Sequence, residues 1–155
     1  MQVDFYQLEA TTQSAYEAAL PQILTKALAA EHVIAIVAPT NTAVNRLDER
    51  LWSADATSFL PHDVAKKGIE TTAAVVLFSA EEPLNISNKF TLIISLGGGL
   101  KELAFPDNIK RCLDMFTSQE AQVKAARTRW KSYKEAEHTL SYYAQTDQGW
   151  QKKSS

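Results

Sequence analysis

Residues 33–37 read Val-Ile-Ala-Ile-Val, and this stretch decides the fold. Four of the five are β-branched and none is polar, so both alternating faces of a strand here would be apolar. A strand of that kind belongs to a parallel sheet covered by helices on both sides. Pro39 ends the run, and Thr40 or Asn41 stands where a helix would be capped. In that helix Val44, Leu47 and Leu51 share one face. Upstream, Tyr16, Leu20, Ile23, Leu24, Ala27 and Leu28 form another helical stripe. Ser14 and Glu17 have capping-box spacing, while Pro21 predicts a helix that starts close to it or bends there. Residues 3–8 read as a strand, with Val3, Phe5 and Leu8 apolar. The order β-α-β-α is the beginning of an open α/β sheet, and a strand so near the N-terminus fits a central position feeding a crossover helix.

Downstream, residues 73–78 and 90–96 are two more buried-strand candidates, broken apart by Glu81-Glu82-Pro83. Residues 63–72 are polar, with a turn signal at Gly68. Residues 108–116 are ambiguous: Ile109, Leu113 and Phe116 suit a helix face, and the end of the run also suits a strand. Residue 118 to about 143 reads as a helix capped by Thr117 or Ser118, with Val123, Ala126, Trp130, Tyr133, Glu137 and Leu140 at 3–4 spacing. Beyond Gln145 only Trp150 interrupts a polar stretch. The expectation is one three-layer α/β domain over residues 1–143, with a mainly parallel sheet and a flexible tail over 144–155.

Bulk properties narrow the function. The chain has 155 residues, 45% hydrophobic, with a formal net charge of -2, which argues against a dedicated nucleic-acid binder. The charge is unevenly placed: residues 1–60 are net -4 and residues 61–155 net +2. A single cysteine, Cys112, excludes an internal disulfide and a cysteine-rich metal site. No basic run followed by an apolar core opens the chain, and no apolar run approaches the ~20 residues of a membrane span. A cytosolic protein is the expectation.

Catalytic chemistry finds no foothold. Gly97, Gly98 and Gly99 follow a strand, where an anion site would lie, but neither dinucleotide nor P-loop spacing is present. Lys101 follows the triplet without a Ser or Thr to hold magnesium. His32, His62 and His138 are far apart in sequence, which gives a metal site no support. Cys112, beside Leu113, reads as core. Ser79, Ser87 and Ser95 lack a nucleophile-elbow context. Asp48/Glu49 and Glu81/Glu82 are adjacent pairs whose side chains diverge. No cofactor is expected.

Contact surfaces are better supported. The first is residues 44–63, an amphipathic helix ending at Trp52, followed by Phe59-Leu60-Pro61 and His62. These aromatics either close the edge of a core or present a patch to a partner. The second is Arg-Thr-Arg-Trp-Lys-Ser-Tyr-Lys, residues 127–134. Arg127, Trp130, Lys131 and Lys134 lie a turn apart on one helix face. Cations beside an aromatic floor suit an acidic peptide ending in a carboxylate, or single-stranded nucleic acid. A docked terminal helix with snorkelling cations accounts for the same pattern.

The residues RLDERLW at 46–52 and SFLPHD at 58–63, with FYQL at 5–8, LIISL at 92–96 and ARTRWKSYK at 126–134, resemble the chi subunit family of the bacterial DNA polymerase III holoenzyme. The resemblance implies a single α/β domain with nucleotide-binding-like topology, no nucleotide site, no catalysis and a bacterial cytoplasmic location. It makes residues 108–116 the last strand. It implies two protein partners: the psi subunit, which tethers the protein to the clamp loader, and the acidic C-terminal tail of single-stranded DNA-binding protein, an indirect link to single-stranded DNA. By matched position, the tail-binding residues would be Phe116, Arg127, Trp130, Lys131 and Lys134. Trp130 stands where the family has tyrosine, and Lys134 where it has arginine. The psi-binding residues would include Trp52, Phe59, Pro61 and His62. A direct single-stranded nucleic-acid-binding module is the alternative.

Overall fold

The apolar stretch at 34–38 lies between two parallel neighbours, as its composition requires. A computed structural model describes residues 1–53, 62–65, 73–82, 86–98, 100 and 109–154. The elements are β1 (Gln2–Gln7), α1 (Ser14–Ala29), β2 (Ile34–Ala38), α2 (Asn41–Ser53), β3 (Asp63–Val64), β4 (Val75–Ser79), β5 (Leu92–Leu96), β6 (Arg111–Phe116), α3 (Glu120–Glu135), β7 (Thr139–Thr146) and β8 (Gly149–Ser154). They build an eight-stranded sheet in the order β3-β4-β2-β5-β6-β1-β7-β8. Every pairing is parallel except the β7–β8 hairpin. The result is the expected three-layer α/β domain with a mainly parallel sheet.

Two cores account for the layers. On one face, Leu20 and Leu24 of α1 and Val44, Leu47 and Leu51 of α2 pack with Ile34, Ile36, Ile94, Leu113 and Met115 of the sheet. On the other, Ala126 and Tyr133 of α3 pack with Val3, Phe5, Ala35, Val37, Ile93, Cys112, Phe116 and Leu140. All five residues of β2, β4 and β5 are buried, so the runs lacking polar alternation are the strands covered on both sides. Burial pushes the Cys112 thiol up, keeping it protonated in the core.

Helix ends differ from the reading in instructive ways. Ser14 does not cap α1: Gln13 holds the N-cap position without a side-chain bond. Glu17 instead reaches across to α2, where Arg46 Nε lies 2.5 Å and Arg50 Nε 3.4 Å from its carboxylate. Helix α1 runs unbroken past Pro21. Thr40 caps α2, accepting the Ala43 N–H at 3.0 Å.

The C-terminal third required the largest correction. Neither Thr117 nor Ser118 caps α3; Gln119 holds that position. Helix α3 stops at Glu135, not near residue 143. Glu137 takes a left-handed conformation at φ 64°, and the His138 and Glu137 N–H groups bond to the Tyr133 and Lys134 carbonyls. That is a Schellman ending built without glycine. Residues 139–146 then form β7, parallel to β1, and 149–154 return as β8. Residues 144–154 are therefore paired strand and turn, not an unstructured tail, and 111–116 is a strand but not the last. The misreading arose because Tyr133, Glu137 and Leu140 keep helical spacing across a backbone reversal.

This reversal also carries a pH dependence. His138 Nδ1 lies 3.3 Å from the N-terminal ammonium, and burial together with that charge lowers the imidazole below its usual pKa of 6.5. The folded state then binds fewer protons than the unfolded one just below pH 6.5. The contribution is present above that pH and lost as pH falls through the lowered value. His138→Gln is expected to flatten this part of the urea midpoint between pH 7 and 5; an unchanged slope would count against the assignment.

Candidate functional site

In an open α/β sheet, ligands favour the crevice at strand C-termini where the chain's crossovers diverge. Here β1 leads through α1 toward β2, while its neighbour β6 leads through α3 the other way to β7. The crevice between β1 and β6 is filled by the protein's own groups. Ser118 Oγ donates to the Leu8 carbonyl at 2.6 Å, and Gln7 Nε2 donates to Ser118 Oγ at 3.1 Å. Gln122 Oε1 accepts from Tyr16 Oη at 2.8 Å and from the Thr117 N–H at 2.9 Å. Burial pushes the Tyr16 phenol up to about 12, so it remains a donor.

The described part of the glycine triplet is equally closed. Gly97 and Gly98 have φ values of 58° and 77°, and a Cβ on them would lie 3.2 Å from Tyr16 Oη and 3.1 Å from Arg129 Nη1. Gly99 and Lys101 lie outside the described residues. Gly98→Ala is expected to cost about 1–2 kcal/mol for the backbone alone, readable as a lower urea midpoint. Beside this region a cavity of about 220 Å³ is lined by Tyr16, Pro39, Thr40, Arg46, Leu47 and Leu96, among others.

The opposite face, around α3, brings together the residues singled out at 116–134. Phe116 is 1% exposed. Its ring meets Phe5 at 6.2 Å and Tyr142 at 6.1 Å, both edge-on. Trp130 is half-buried and meets Phe5 at 5.2 Å and Tyr142 at 6.0 Å. Phe116 therefore supports the rings above it from beneath. Arg127, Lys131 and Lys134 are exposed on α3, and Lys124 extends their stripe by one turn. None of the four is in an ion pair among the described residues. Burial raises the Tyr142 phenol, and the Arg127 charge acts against that shift.

A second arginine in the same segment does the opposite job. Arg129 turns inward and forms a two-pronged pair with Asp114 of β6, Nε to Oδ2 and Nη2 to Oδ1, both 2.8 Å. The side chains are 16% and 3% exposed. Burial raises the Asp114 carboxyl and is only partly offset by Arg129. Burial pulls the guanidinium down, but the bonds and charge of Asp114 outweigh it. At about 100° per residue, positions two before and two after Arg129 lie about 200° away in either sense, and so on the far side of the helix. With Arg129 turned in, Arg127 and Lys131 must face out.

Arg129, Asp114, Lys124, Gln122 and Tyr142 were missed in the sequence. One signal was available: Asp114 is a lone carboxylate inside Cys112-Leu113-Asp114-Met115-Phe116, and an acid in such a run needs a buried partner.

The stretch expected to meet a partner around Trp52 to His62 is only partly described. Trp52 lies in the last turn of α2, while Phe59 and Pro61 lie outside the described residues. His62 is buried, and its Nε2 lies 2.8 Å from Asp48 Oδ1, joining the start of β3 to α2. Its ring is not on the surface. Among the described residues, no cluster of three or more potential metal ligands occurs, and no helix is long and apolar enough to cross a membrane.

The chain matches the family described as DNA polymerase III chi subunit, HolC, over residues 1–141. The DNA polymerase III subunit chi of Pseudomonas aeruginosa (strain PAO1) is 28% identical over 138 residues, covering 89% of this chain and 92% of that protein. A match that runs from β1 through α3 into β7 places the chain in the DNA polymerase III chi subunit family, with a role in DNA replication.

Proposed function

We propose that the protein is a non-catalytic accessory subunit that uses two surfaces, one for psi and one for the acidic C-terminal tail of single-stranded DNA-binding protein. It thereby links the clamp loader to coated template in the bacterial cytoplasm. The observation that carries the tail reading is the cation stripe on α3, in no ion pair among the described residues, beside the half-buried rings of Trp130 and Tyr142. The terminal carboxylate pairs with Arg127 or Lys131, Lys134 takes a neighbouring acid, and an apolar side chain of the tail lies against Trp130. Phe116 contributes by supporting Phe5 and Tyr142, the two rings that Trp130 meets. The psi surface draws on Trp52, Phe59, Pro61 and His62, the last held to α2 through Asp48.

Titration with a peptide that ends in acidic residues, an apolar residue and a free carboxylate tests the tail reading. Arg127→Ala is expected to weaken binding about tenfold, equivalent to about 1.4 kcal/mol, and rising salt is expected to weaken the wild type because the pairs are exposed. Unchanged affinity in Arg127→Ala would remove that residue from the site. Stacking of single-stranded nucleic acid is less well supported, because Trp130 is already engaged by Phe5 and Tyr142.

A further inference from the structure

The family match ends at residue 141, but the sheet continues. β7 runs on to Thr146 and turns back as β8, whose outer edge has no strand partner among the described residues. The register assigns Trp150, Gln151 and Lys152 to faces and is irregular at Lys153, since Tyr142 pairs with Ser154 and Tyr143 with Lys152. Tyr142 packs in the core under α3, and Ala144 shares its side of the strand. Gln151 pairs with Ala144 and so faces α3, and Lys153 Nζ lies 3.2 Å from Gln151 Oε1 on that same side. Lys152 pairs with Tyr143 and faces the other way, with Trp150. There Tyr6 stacks on Tyr143 at 5.0 Å and meets Trp150 edge-on at 5.0 Å.

The α3 side thus has a continuous order of groups. Arg127 lies one turn before Trp130 on α3, Trp130 meets Tyr142 edge-on at 6.0 Å, and Tyr142 pairs across the strands with Ser154, the neighbour of Lys153. Lys153 is exposed and in no ion pair among the described residues. β8 itself carries no carboxylate side chain. Lysines also guard a sheet edge against unwanted strand pairing, but that role is indifferent to the face on which each one lies.

We propose that the acidic-peptide surface continues from α3 across Tyr142 onto β8, where Lys153 receives a carboxylate upstream of the peptide's terminal one. The proposal rests on the tail reading above. An extended peptide advances about 3.3 Å per residue, so a terminal carboxylate held at Arg127 leaves its preceding acids within reach of the hairpin.

The test compares Lys153→Glu with Lys152→Glu in the full chain. The two variants carry the same charge change on neighbouring exposed residues. Each is titrated with a long peptide bearing several acids before its C-terminus, and with a short one keeping only the last apolar residue and carboxylate. Circular dichroism confirms that both variants remain folded. Lys153→Glu is expected to weaken the long peptide about fivefold, Lys152→Glu less than about twofold, and neither to alter the short peptide. Equal losses in both variants, or none in either, would overturn the extension while Arg127→Ala still weakens the short peptide. If wild type binds neither peptide, the tail reading itself falls, and the extension with it.

Discussion

Asp114→Ala is expected to cost about 3–5 kcal/mol of folding stability. In a domain of this size that corresponds to a fall in Tm of about 10 °C or more. The variant leaves the Arg129 guanidinium in a nearly closed site, against Gly98 and under α3, with neither of its two bonds to Asp114. A buried charge stripped of its partner costs far more than the intact pair contributes. Asp114→Leu combined with Arg129→Met is therefore expected to recover much of the loss, because removing both charges removes the desolvation cost with them. Urea denaturation of Asp114→Ala and of the double variant makes the comparison. A loss below about 1 kcal/mol in Asp114→Ala, the range of an exposed pair, would show that the guanidinium finds solvent.

Phe116→Ala is the second large effect, at about 3–5 kcal/mol. Phe116 is buried against Phe5 and Tyr142, so the cavity opens below the half-buried Tyr142 ring and beside Phe5, the buried ring on which Trp130 packs. Peptide affinity is expected to fall together with stability. Phe116→Leu, which retains most of the volume, is expected to restore most of both. Full affinity in a markedly destabilised Phe116→Ala would mean that the rings above do not depend on it. The comparison separates support from contact, since a residue that touched the peptide directly would not be rescued by an aliphatic replacement of different shape.

Much of the fold was legible because the parallel strands state their burial in composition. Residues 34–38, 75–79 and 92–96 contain almost nothing that tolerates water, and all are covered on both faces. Helix α2 was equally plain, since Val44, Leu47 and Leu51 can share one buried side only if the chain is helical. The end of α3 was not legible. Its left-handed turn is made at Glu137, where no glycine announces it, and the strand that follows is held by pairing with β1, a partner more than a hundred residues away. Periodicity within a short window contains no record of such a partner.

The cation stripe shows the same division. Periodicity grouped Arg127, Trp130, Lys131 and Lys134 on one face. It did not distinguish the role of Arg129, which the fold commits to Asp114, nor did it bring in Tyr142 from β7. The family resemblance placed Phe116 and Trp130 in one site, although Phe116 is buried and Trp130 only half-buried.

The sequence by itself determined the layered α/β class, the absence of a recognisable phosphate motif and the chemistry available on α3, because local spacing and side-chain type are sufficient for each. Only the tertiary structure decided which arginine faces water, what fills the β1–β6 crevice and that the chain ends in an antiparallel hairpin. Those outcomes depend on contacts between segments distant along the chain, where a buried charge must find its partner and a strand must find its neighbour.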